Sequence, residues 1–204
     1  ICYLEGKNGT AINVNKAFNY FTEASEKGCP KADYYIGVYY KKGYGADKMT
    51  NNMNCVQYFK KSADAGDSDG QNGYADCLKD GIGVDQNLEL AIHYYKLSAD
   101  QGNLNGEFNY GRELYTRSTN DQEKNYAIYY LKKAAERQLP DAMYFYSKVI
   151  ADTNHVESEK YLNLAIDNKS ELAIDDYGDY LEEQGNTDKA SELYKNAARN
   201  GMKI

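Results

Sequence analysis

The sequence predicts an all-α protein built as a solenoid of antiparallel helix pairs, and three observations carry that prediction. One amphipathic segment recurs six times at spacings between 31 and 38 residues. A second kind of helical segment falls between its copies. The only two prolines, Pro30 and Pro140, sit just after copies of the first segment, where proline acts as a helix stop and breaks nothing.

The recurring segment is clearest from Lys16 (KAFNYFTEASEKG), Asn54 (NCVQYFKKSADAG), Leu90 (LAIHYYKLSADQG) and Tyr126 (YAIYYLKKAAERQ), with looser copies from Glu157 and Lys189. In each clear copy a small residue is followed three and four positions later by large, mostly aromatic residues, and at seven by another small one, as in Ala91, Tyr94, Tyr95 and Ser98. That spacing puts all four on one helix face. Gly28, Gly66, Gly102 and Gly201 follow, where a residue without Cβ can take the left-handed conformation that ends a helix. The leading small residues are Ala17, Cys55, Ala91, Ala127, Ser158 and Ala190, in steps of 38, 36, 36, 31 and 32. Two helices per unit at such a period is the signature of a solenoid.

The intervening segments begin at Lys31, Asp69, Asn105, Asp141 and Leu172. Their frame is a small residue, then four positions on a large apolar one directly followed by a small one, then a large one three further. Ala32, Ile36, Gly37 and Tyr40 show it, as do Gly106, Tyr110, Gly111 and Leu114. Glycine in mid-helix costs roughly 1 kcal/mol, so its recurrence at one register predicts close packing by the partner helix. The chain therefore divides into about six units, 1–29, 30–67, 68–103, 104–139, 140–169 and 170–201, the first truncated, within a single solenoid domain over 1–204.

At 204 residues and 27% charged, the chain is long enough to bury a sizeable core. Its net charge of −7 opposes attraction to phosphate backbones and anionic lipid, so no nucleic-acid partner is expected. Apolar stretches such as 126–131 fall far short of the roughly 20 residues that span a bilayer, and no signal-like segment opens the chain, so direct membrane insertion is not expected. A cytoplasmic location is expected, with the endoplasmic reticulum lumen or secretion as alternatives. The sequence begins at Ile1 without Met, and Tyr3 and Gly6 read as the tail of a helix while 201–204 read as the lead into another unit, so it is expected to be part of a longer protein.

Cys2, Cys29, Cys55 and Cys77 lack C-x-x-C spacing and read as free thiols, although an even number permits two disulfides. Asn8-Gly9-Thr10 and Asn168-Lys169-Ser170 are sequons that matter only in a secreted protein. Catalysis needs a nucleophile, a base and an orienting group. His93 lies beside an aromatic pair and reads as packing or surface, and His155 reads as loop. The Gly-x-Gly pieces at Gly43 and Gly81 lack the third glycine of a dinucleotide site and read as inter-helix loops. Asp175-Asp176 and Glu182-Glu183 read as a solvated face. No catalytic residue, cofactor or metal is expected. Tyrosine stands out, with 22 Tyr against 5 Phe and no Trp; at the aromatic-pair positions it reads as core, with hydroxyls at the edge of the stack. The bias toward Asn, Lys and Tyr fits an AT-rich genome.

The run from Ala32 to Gly45, ADYYIGVYYKKGYG, together with Gly81-Ile82-Gly83-Val84-Asp85 and the recurring aromatic-pair helix, resembles the Sel-1-like repeat family, a relative of the tetratricopeptide repeat. The resemblance covers essentially the whole chain. It departs from the family pattern in having Tyr or Phe where Trp is common, and in losing the G-x-G loop in the last two units. It implies a right-handed superhelix whose first helices line a concave groove. Carried over by position, the groove residues are Lys31, Tyr34, Val38 and Lys41 in the first full unit, and Asp69, Asn72, Asp76 and Lys79 in the second. They are Asn105, Phe108, Arg112 and Tyr115 in the third, Asp141, Tyr144, Lys148 and Ala151 in the fourth, and Leu172, Asp175, Asp179 and Glu182 in the fifth. Such a groove is basic and aromatic at its start and acidic at its end, and suits a peptide or helix whose acidic part lies near Lys31 and Lys41. The resemblance implies a scaffold or adaptor that binds another protein, and not an enzyme. Alternatives within the family are adaptors of protein quality control in the secretory lumen, and bacterial relatives linked to β-lactam binding or hydrolysis. That last branch carries regular disulfide-forming cysteine pairs, which this chain lacks.

Overall fold

The computed structural model describes residues 13–44 and 51–199. Cys2, Tyr3, Gly6, the sequon at Asn8, Gly45 and residues 201–204 lie outside the described residues. Among the described residues there are eleven helices and no strand. They are α1 (Val14–Glu26), α2 (Pro30–Lys41), α3 (Asn52–Asp64), α4 (Ser68–Asp80), α5 (Leu88–Asp100), α6 (Leu104–Arg117), α7 (Asp121–Glu136), α8 (Pro140–Ile150), α9 (His155–Asp167), α10 (Glu171–Glu183) and α11 (Thr187–Arg199). Odd-numbered helices carry the recurring aromatic segment and even-numbered ones the intervening segment, so the fold is an α solenoid of helix pairs.

The chain divides into two compact units, Ile1–Tyr110 and Gly111–Ile204, with the division inside α6. In the N-terminal unit α1 packs on α2, α2 on α3, α3 on α4 and α4 on α5, while α2 also touches α4. In the C-terminal unit α7 packs on α8, α8 on α9, α9 on α10 and α10 on α11, while α8 also touches α10. In each, the first helices of successive pairs lie side by side.

Residue size decides the packing. In the N-terminal unit the ring of Phe59 is wedged between two glycines: a Cβ on Gly37 would meet it at 2.6 Å and one on Gly73 at 3.0 Å. Gly70 and Gly106 lie where a Cβ would collide with the hydroxyls of Ser62 and Ser98. Those buried serines donate to the carbonyls of Pro30 (2.8 Å) and Ser68 (2.7 Å), tying each second helix to the start of its first. The mid-helix glycines thus mark close helix contact, as the register predicts. Asp33, 3% exposed, accepts from the Ser25 hydroxyl (2.5 Å) and the Lys61 ammonium (2.8 Å), so its charge is buried with partners. In the C-terminal unit Gly111 lies against Leu131 and the Ala127 carbonyl. Ser147 takes the small position of α8, and its carbonyl accepts from the Ser158 hydroxyl at 2.8 Å.

The helix ends follow local chemistry. Asn13, Asn51, Asn87, Asn120 and Asn154 each precede a second helix, and each side chain accepts from the backbone N–H three residues on, at 2.9, 2.9, 3.0, 2.9 and 3.2 Å. This is N-capping. His155, read from sequence as loop, is the first residue of α9 because Asn154 caps it. Pro30 and Pro140 open the next helix, where the missing N–H costs nothing. Past the second helices, Gly28, Gly66 and Gly102 take φ of 79°, 84° and 76°, whereas Gln138 and Lys169 take φ of 64° at the matching places.

Candidate functional site

In the N-terminal unit the groove positions fall on the adjoining helices α2 and α4 and on the start of α6. The Lys31 ammonium pairs with Asp69 and lies 3.8 Å from Asp67 and 5.3 Å from the ring centre of Tyr34. Lys41 lies 3.7 Å from Asp76. Asp76 also accepts from the hydroxyl of Tyr95 at 2.7 Å, while the Tyr95 ring is fully buried, so a core tyrosine reaches this face with its polar end. Asn72 accepts from Asn109 at 2.9 Å, and Lys79 lies 3.7 Å from Asp80. Asn105 is exposed. Burial pushes the Tyr34 hydroxyl above its ordinary pKa, and Tyr35, Asp67 and Asp76 add to the shift.

Two expectations change here. Phe108 is only 7% exposed, so it is a packing residue with little surface to offer a partner. Lys31 and Lys41 are already matched by carboxylates on the next first helix, so a partner's acidic group would have to compete with Asp69 and Asp76. Exposed pairs of this kind are worth about 0–1 kcal/mol, so such competition is inexpensive.

In the C-terminal unit Arg112 and Tyr115 lie on α6, Tyr144 and Lys148 on α8, and Asp175 and Asp179 on α10. The Arg112 guanidinium is 3.0 Å from Glu113 and 6.0 Å from the ring centre of Phe145. Lys148 donates to Asp176 at 2.9 Å and lies 5.8 Å from the Tyr144 ring centre. The Asp176 hydrogen bond raises the pKa of Lys148, and burial, followed by Asp176, raises that of Tyr144. Asp175 is exposed, and Asp179 accepts from Tyr194 at 3.4 Å. Arg112, Tyr115, Thr116, Leu131, Phe145, Lys148 and Val149 line a concavity of about 230 Å3. Asp141 and Leu172, two further groove positions, line another of about 440 Å3 with Pro140, Lys169 and Glu171.

In the N-terminal unit Asn109 donates to Asn72, and in the C-terminal unit Phe145 and Val149 line the smaller concavity while Asp176 accepts from Lys148, although the positional carry-over omits all four. A signal for three of them exists in the sequence. The carry-over includes the residue just after the small mid-helix position; the residue three before it on the same helix is Asn109, Phe145 or Asp176, and residues three apart share a face. Val149 has no such signal.

Among the described residues no group of three or more His, Cys, Asp or Glu is arranged to hold a metal. His93 is exposed, with its ring 5.6 Å from that of Tyr94. No described helix is long and apolar enough to cross a membrane.

Comparison with known proteins places the chain. The Sel1 repeat profile matches residues 1–29, 30–67, 68–103, 105–139 and 171–202. Residues 140–170 fall between these matches, yet α8 and α9 form a helix pair there all the same. No curated protein matches the sequence. Among solved structures, a protective antigen of uropathogenic Escherichia coli with an SLR fold is similar at 25% identity and a TM-score of 0.75, over 98% of this chain and 44% of that one. The chain thus spans less than half of that antigen. A Sel1 repeat protein from Oxalobacter formigenes is similar at 20% identity and a TM-score of 0.77, over 98% of this chain and 84% of that one. An immunity protein from Pseudomonas aeruginosa shares the fold at 17% identity and a TM-score of 0.54, over 77% of this chain and 59% of that one. With the profile matching well over half of its residues, the chain belongs to the Sel1 repeat family.

Proposed function

We propose that this chain is a protein-interaction module, a scaffold or adaptor that receives a peptide or helical segment of a partner protein on the face lined by its first helices. Sel1 repeats are generally protein-interaction modules. The observation that supports the finer reading is the concavity beside α6 and α8. Its walls combine a guanidinium (Arg112), an ammonium (Lys148) and two aromatic rings (Tyr115 and Phe145) around apolar Leu131 and Val149. Arginine and aromatic side chains supply most of the binding energy at interfaces, and an apolar floor with charged walls suits an amphipathic segment carrying a carboxylate.

The test is a pull-down from native extract with the parent chain beside an Arg112→Glu, Tyr115→Ala, Lys148→Glu variant. Phe108 is left intact because its burial would confound binding with folding. Circular dichroism checks that the variant keeps its helices. A partner held by the parent and lost by the folded variant supports this face; equal retention places binding elsewhere and overturns the assignment.

A further inference from the structure

Cys55 and Cys77 are both fully buried, at 1% and 0% exposure, and neither takes part in the groove described above. Cys55 is on α3, the second helix of one pair, and Cys77 on α4, the first helix of the next. The two helices run antiparallel in a register that other contacts define. Gly70 of α4 lies against Ser62 of α3, and Gly73 against Phe59. Each step forward on α4 is therefore matched by an equal step back on α3. Cys77, four residues beyond Gly73, faces Cys55, four before Phe59. A third contact fixes the same end of the pair: just beyond α4, Gly83 lies where a Cβ would strike the backbone of Asn52 and Met53 at the start of α3.

We propose that Cys55 and Cys77 form a disulfide in an oxidising environment, a single covalent staple between two successive helix pairs. The two thiols are close enough to interact, and in the folded chain that contact lowers the pKa of Cys55 and raises that of Cys77. With a low-molecular-weight disulfide such as oxidised glutathione as oxidant, the thiolate of one cysteine attacks one of its sulfurs, forming a mixed disulfide and expelling one glutathione thiolate. The other cysteine gives up its proton and attacks the first cysteine's sulfur, expelling the second. The two protein thiols lose two protons and two electrons, and the glutathione disulfide is reduced to two thiols. Burial shields the pair in the folded chain, so the bond forms during folding or local opening. In a solenoid, stability passes through nearest-neighbour interfaces, and this staple spans one of them. It closes a loop of roughly twenty residues, which removes entropy from the unfolded chain.

The experiment uses the chain with Cys2→Ser and Cys29→Ser, so that only the proposed pair remains. It is unfolded, then refolded in a mixture of reduced and oxidised glutathione. The expected result is an intact mass lower by two hydrogen atoms, a peptide linking Cys55 to Cys77, and a melting midpoint higher by roughly 5–10 °C that falls back on adding reductant. Adding Cys77→Ala is expected to abolish the reductant-dependent shift. A helical refolded chain that keeps both thiols free, or carries only glutathione adducts, overturns the proposal. So does a reductant-dependent shift that survives Cys77→Ala.

Discussion

In the N-terminal unit the chain leaves its second helices through Gly28, Gly66 and Gly102, whereas in the C-terminal unit it leaves them through Gln138 and Lys169, both at φ 64°. The connections within pairs differ in the same sense. Residues 81–87 join α4 to α5 through two left-handed glycines, Gly81 and Gly83, but only 151–154 join α8 to α9 and only 184–186 join α10 to α11. The cores differ too: Phe59 is held between two glycines on one side of the division, and on the other Gly178 faces the hydroxyl end of Tyr194. What both units keep is a place where helix backbones approach closely and a place where the chain turns left-handed. The requirement is geometric; glycine meets it without strain, and at Gln138 and Lys169 the C-terminal unit meets it at a cost.

The largest expected contrast is in the core. Phe59→Ala is expected to cost about 3–5 kcal/mol in chemical denaturation, because the ring fills a closed space between α2 and α4. Tyr194→Ala removes a half-buried ring whose hydroxyl meets Asp179 in an exposed 3.4 Å contact, and is expected to cost about 1 kcal/mol. Equal losses would erase the distinction between the two units.

Gly37→Ala is expected to cost about 1–3 kcal/mol net of its gain in helix propensity, since the Phe59 ring has nowhere to move. Gly178→Ala is expected to be neutral or stabilising, because the far end of Tyr194 can swing aside. Differential scanning calorimetry of the two variants sharpens the comparison.

Opposite signs are expected at the helix exits. Gly66→Ala places a Cβ in a left-handed conformation and is expected to cost about 1 kcal/mol, and Lys169→Gly relieves the same strain and is expected to gain a few tenths to about 1 kcal/mol. Two losses would mean that Lys169 makes a compensating contact.

The smallest effect is a pH dependence of the C-terminal unit. Lys132 first, and then Tyr146, hold the Glu157 carboxyl below its usual pKa, through hydrogen bonds of 3.2 and 3.0 Å. Because the folded value is the lower one, the ionised group stabilises the fold above the unfolded pKa of about 4.3, and that contribution is lost as pH falls through the folded value. Glu157→Gln is expected to flatten slightly the acid limb of a stability-against-pH curve, the effect being small because the pair is open to water.

Helix period, pairing and core register were legible in the sequence: Ala17, Cys55, Ala91, Ala127 and Ala190 are all buried, as their register demands. The capping asparagines form a column of their own in the sequence. Asn13, Asn51, Asn87 and Asn154 each stand four residues before the leading small residue, and part of what reads as compositional bias is helix capping. On the groove face, periodicity identifies which helix faces are shared. It does not reveal how far one first helix is staggered against the next, and that stagger decides that Lys41 meets Asp76 and Lys148 meets Asp176. The burial of Phe108 was hidden for a related reason, since groove and core columns lie one position apart on the helix. The facing of Cys55 and Cys77 likewise needed the antiparallel register of α3 and α4.

The tyrosines permit the most direct test of the proposed binding face. Residue-resolved oxidative footprinting, with and without a partner captured by the pull-down, compares Tyr115 and Tyr144 beside the concavity with Tyr126 and Tyr129, which are exposed on α7. Protection of Tyr115 and Tyr144, with Tyr126 and Tyr129 unchanged, is the result expected if first helices carry the partner. Protection confined to Tyr126 and Tyr129 would contradict it and place the partner on the second helices.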